Sequence, residues 1–135
     1  RFRPQVIIGL GNGTWDALPG PPAERWATLS SAAVIVADHD FAPVPPPGVR
    51  VLRRLTVAGM QWVEHEPAGG FVAPADRVYL EVVSAGAIAS SGTGELLVTT
   101  VQRDACPLVR LRTGQTVDLR RDGDQQRVHR VRATA

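Results

Sequence analysis

Lysine is missing altogether: the fifteen basic residues of this 135-residue chain are all arginine, although lysine is normally among the commonest residues. Any reaction that needs a side-chain ammonium is closed to this chain acting alone. Cysteine is nearly missing too. One thiol, Cys106, excludes an internal disulfide and a multi-thiolate metal centre. With no base beside it, it reads as a small buried hydrophobe and not as a nucleophile. No run of about 18 apolar residues occurs, and the opening Arg1-Phe2-Arg3-Pro4 lacks an apolar stretch of signal-peptide type. The expectation is a cytoplasmic chain with no membrane contact. Net charge is low as well, and +2 is too small to argue for nucleic acid.

What is present suits one domain, since a chain of this length can bury roughly two thirds of its unfolded surface. "QVIIGL" (residues 5–10) reads as a buried strand that "GNG" turns into a loop. "PPAERWATLSS" sets prolines before Ala23, Glu24, Trp26, Ala27 and Leu29, the pattern of a helix of two to three turns. "AAVIVAD" (residues 32–38) is a second buried strand, and strand, helix, strand implies a small parallel α/β unit. Three successive prolines in "FAPVPPPG" (residues 41–48) remove amide donors and fix φ, so this stretch is a rigid connector. Short alternating segments separated by glycine and proline follow to the end, with a hairpin turn at Asp122-Gly123. The predicted class is α+β, with an α/β unit and connector over residues 1–48 and a mostly antiparallel, strand-rich part over 49–135.

Two stretches, "GGFVAPADRVYLEVV" (residues 69–83) and "GELLVTTVQRDACPLVRLRTG" (residues 94–114), together resemble adenylate-forming enzymes of the phenylacetate-CoA ligase type. The likeness covers most of this chain but only the middle of such a ligase. It implies a fold inherited from enzymes that activate a carboxylic acid with ATP and pass the acyl group to a thiol. That chemistry uses an acid on the ribose hydroxyls, an acid near the metal, and a lysine on a mobile lid. The resemblance puts the ribose acid at position 115, where Gln115 stands. An amide offers no charge-assisted acceptance from a diol. The second acid has no counterpart in Leu55-Thr56-Val57-Ala58, and lysine is absent. Adenylation and a nucleotide cofactor are therefore not expected. The resemblance implies a truncated pseudoenzyme serving a biosynthetic pathway, binding an acyl or aryl intermediate.

Candidate contacts follow from residue type. Met60, Trp62 and Phe71 are candidates for the substrate body, and Trp15, Trp26 and Tyr79 are further aromatics for an aryl pocket. Arg110 and Arg112, two apart on a strand, share a face and form a candidate cationic site for a carboxylate, a phosphate or an acidic acyl carrier protein. From Val101 onward eight arginines face four aspartates, against seven arginines and nine acids before it, so the end of the chain is locally basic. A different reading makes the chain a small lyase, cyclase or hydrolase, with His65 as acid/base and Glu64, Glu66 or Asp38 orienting it. The triplets Asp38-His39-Asp40 and Glu64-His65-Glu66 alternate across a strand, so neither is a chelate by itself. No metal is expected, and His129 reads as a surface residue. A third reading is a piece of a functional ligase whose lid lies elsewhere. Uncovered apolar sheet surface predicts self-association, a homodimer being the simplest form.

Overall fold

The two branched, apolar runs become β1 (Val6–Leu10) and β2 (Val34–Asp38), paired in parallel with Val6 beside Val34 and Ile8 beside Val36. The computed structural model describes residues 5–30, 32–64, 69–101 and 107–134. Parallel strands need a crossover, and here it consists of α1 (Asn12–Ala17) and α2 (Pro22–Leu29). α2 has proline in its first turn and Glu24 close behind, which suits the positive end of a helix. α1 stands where the sequence predicts a loop. It has no capping side chain, and tertiary packing holds it: Trp15 lies 4.7 Å from Trp26 and 5.8 Å from Phe41, ring centre to ring centre.

A bulge at Gly9, with φ of 93°, shifts the β1 register between Ile8 and Leu10. The extra residue puts Ile7 and Leu10 on one face, where they pack with Ile35, Ala37 and both helices. Val6 and Ile8, on the other face, stay 50% and 68% exposed.

Beyond the proline connector, β3 (Val51–Val57) returns to pair in parallel with β2, and β4 (Met60–Val63) folds back antiparallel on β3. The first sheet, ordered β1-β2-β3-β4, therefore extends across the connector. The second sheet takes β5 (Phe71–Val72), β6 (Val78–Ser84), β7 (Ala87–Ala89), β8 (Gly92–Thr100), β9 (Leu111–Asp122) and β10 (Gln125–Ala133). Its order is β5-β10-β9-β8-β6-β7, antiparallel throughout. The expected hairpin joins β9 to β10, with Asp122 opposite Gln125 and Gly123 at φ of 60°. Among the described residues the fold is thus the predicted one: a strand, helix, strand unit leading into mostly antiparallel sheet.

The two sheets meet over one core. Leu55, Val57 and Trp62 from the first pack against Phe71, Leu80, Leu96, Val98, Val117, Leu119 and Val128 from the second. Each such side chain contributes about 1.5–3 kcal/mol by leaving water. This seam brings the end of β4 and the turn after β2 up to β9 and β10.

Candidate functional site

The turn singled out by the resemblance begins β9. Thr113 Oγ1 donates to the Leu96 carbonyl at 2.9 Å and accepts from the Gln115 amide at 3.2 Å, while the Gly114 amide donates to Glu95 Oε1 at 3.2 Å. Gln115 Oε1 is shut off from solvent and accepts no hydrogen bond among the described residues. Neither of the two arginines before the turn is idle. Arg110 clasps Glu81 with two bonds of 3.0 and 3.2 Å, and Arg112 clasps Glu95 through Nε at 2.9 Å and a second, closer contact from Nη2. The hydrogen bond from Arg112 is the main cause that holds the Glu95 carboxyl below the usual carboxylate range, and the reciprocal bonds raise both guanidinium values. The candidate cationic face therefore carries its own carboxylates. Leu55-Thr56-Val57-Ala58 closes β3 in a tight hairpin with Ala58 at φ of 50°.

The aromatic candidates separate into two places. Trp62 and Phe71 are 4% and 5% exposed and belong to the core between the sheets, with Met60 half-buried against it. Trp15 and Trp26 are equally buried, at 5% each, in the core of the α/β unit, but they also border a groove of about 500 Å³ between α1, α2 and the connector, with Pro22, Pro43 and Val44 as further apolar surface and Asn12 and Asp16 beside them. Asn12 fixes the connector by donating to the Asp40 carbonyl at 3.1 Å and accepting from the Ala42 amide at 3.2 Å. The Arg25 guanidinium lies 5.6 Å over the Trp15 ring. Tyr79 is on β6, away from this groove.

Of the acid/base candidates, His65 and Glu66 lie outside the described residues, as does Cys106. Glu64 is 6% exposed, and its Oε2 accepts from the Arg53 amide at 3.0 Å. Asp38 is bonded to Arg54 at 2.8 Å. Glu64 and His39, from the two acid-flanked histidine triplets, reach one inter-sheet cleft of about 480 Å³ that Arg53, Arg120, His129 and Arg130 also line. His129 is half-buried there and is not the surface residue that its arginine-rich surroundings suggest. Gly70, at φ of 83°, makes room for it: a Cβ at that position would meet the imidazole at 2.5 Å. Burial lowers the His129 value, and Arg120 and Arg127 add to the effect, while Asp118 and Glu64 oppose it. Among the described residues no three His, Cys, Asp or Glu side chains group as metal ligands.

Strand alternation did not foretell this cleft: Arg120 and Arg130 belong to the β9–β10 hairpin and Arg53 to the other sheet, so the three converge only when the sheets stack. One local signal existed. Gly69-Gly70 before Phe71 marks a close approach, and the imidazole is what approaches.

No protein-family model and no curated protein matches the chain. Among solved structures it is similar to 2-hydroxyisobutyryl-CoA ligase in an open conformation with 2-HIB-AMP and CoA, at TM-score 0.69 and 16% identity over 98% of this chain and 34% of that one. The same ligase in the postadenylation state, with R3-HIB-AMP, superposes at TM-score 0.60 and 14% identity over 98% and 33% of the two chains. This chain thus has the fold of about one third of that acyl-CoA ligase.

Proposed function

We propose that this chain is an ATP-independent accessory protein that binds a small acyl or aryl molecule on a scaffold shared with acyl-CoA ligases. The observation carrying this reading is at Gln115: an uncharged amide whose oxygen is buried stands where the resemblance expects an acid on the ribose. The neighbouring cations support it, since Arg110 and Arg112 are held by Glu81 and Glu95 and the chain has no lysine to add. The groove of Trp15 and Trp26 suits the body of the ligand. An aromatic ring packed on these indoles would gain about 0.5–1.5 kcal/mol beyond its buried area. A carrier-borne ligand would bring acidic surface to Arg110 and Arg112, where it competes with Glu81 and Glu95.

Calorimetric titration with phenylacetate, with and without ATP and magnesium, tests the proposal. The expected result is phenylacetate binding with quenching of tryptophan fluorescence, unchanged by ATP and weakened in Trp26→Leu. Formation of phenylacetyl adenylate, or tight ATP binding, overturns it. The span of one third of the matched ligase favours a second reading, a piece of a longer ligase whose lid carries the missing lysine; the intact mass of the native gene product decides between them.

A further inference from the structure

We propose that the cleft between the two sheets is a binding site for a small oxyanion, a carboxylate or a phosphate, gripped by Arg130 and Arg120 at its mouth with Arg53 beneath. The residues lining it include three guanidiniums and one carboxylate, Glu64. With neutral imidazoles that is three minus one, or +2, and the Asp118 bonded to Arg120 brings it to +1. Arg53 spends its Nη1 on the carbonyl oxygens of Phe41 at 2.6 Å and His39 at 3.3 Å. Those partners are neutral, so its charge remains. Arg130 makes no hydrogen bond or ion pair among the described residues.

The backbone around Arg130 is the independent observation. It stands at φ of 51°, where the register of β10 against β9 shifts between His129 and Arg132. A left-handed arginine costs about 1–2 kcal/mol, and strain of this kind persists where the surrounding structure imposes it and clusters at ligand sites. The bulge turns consecutive residues, His129 and Arg130, into the same cleft, which regular strand alternation would not allow. Phe71, Val128 and Val131 supply an apolar wall, so water competes less with a charged contact here than on an open face.

This site is separate from the Trp15 and Trp26 groove, so each can fail without the other. The test is an NMR titration of the isotope-labelled chain with inorganic phosphate and, separately, with succinate, following the His129 imidazole. Saturable shifts are expected with at least one probe, together with a rise in the imidazole titration midpoint, because an anion beside His129 favours its protonated form. Phosphate alone, succinate alone or both identifies which oxyanion fits. Arg130→Gln should weaken binding about tenfold or more, the loss of one charge-assisted contact. Arg121→Gln, which removes an equal charge from a residue that does not line the cleft, should leave it nearly unchanged. If neither probe saturates, or if both variants weaken binding equally, the cleft is no oxyanion site.

Discussion

Alanine is a poor residue for a left-handed turn, and two hairpins here place one there. Ala58 and Ala85 have φ of 50° and 49°, each followed by a glycine at positive φ, Gly59 and Gly86. That pair of conformations is the primed turn that prefers Asn-Gly. Ala85 is exposed, so Ala85→Asn should stabilise the fold by about 0.5–1 kcal/mol and raise the thermal midpoint by about 2–5 °C. Ala58 packs against the core, and the same change there should gain less because a polar amide would meet apolar neighbours. Thermal unfolding of the two variants side by side checks both statements. These turns were only partly legible in the sequence. Glycine announces a turn, but only paired strands reveal that the alanine before it is left-handed too.

At the scale of elements, Gln126 ties β10 directly to β6. It belongs to β10, yet its buried amide donates to the Leu80 carbonyl at 2.7 Å and accepts from the Leu80 amide at 2.9 Å. β10 and β6 are not neighbours in the sheet order, so the side chain serves as a surrogate strand on the edge of β6 that β7 leaves unpaired. Its own carbonyl accepts from Ala73 at 3.0 Å. Gln126→Leu would orphan two buried backbone groups and should cost about 2–4 kcal/mol, read from the midpoint of urea unfolding at unchanged slope. A cost below about 0.5 kcal/mol would mean that water replaces the amide and the sheet does not depend on it. The strand around Gln126 was readable from alternation, whereas the buried role of its amide was not, because glutamine at a strand end is ordinarily solvated.

For the whole molecule, the seam between the sheets should make stability depend on pH through His129. Burial leads the causes that depress His129, followed by Arg120; Arg127 from its own strand adds to the effect, while Asp118 on β9 and Glu64 after β4 oppose it. His39 and the unpaired Arg130 line the same cleft. A histidine depressed in the fold binds its proton more readily when unfolded, so stability is fully present above the ordinary imidazole value of about 6.5. It falls as acid titrates the unfolded chain from there down to the lower native value. Urea midpoints measured between about pH 7.5 and 5 should therefore decline, and His129→Gln should flatten that decline. A decline of equal steepness in the variant would assign it to other groups. The sequence by itself determined the α+β order, a proline stretch without helix or strand, the Asp122-Gly123 hairpin and the absence of lysine, because these rest on near neighbours in the chain or on composition. Only the tertiary structure decided that α1 is a helix, that Trp62 is enclosed between the sheets while the buried Trp15 and Trp26 also border a groove, and that His129 joins Glu64 and three arginines. Those outcomes depend on which faces the stacked sheets bring together, and contacts between distant residues leave no periodic trace in sequence.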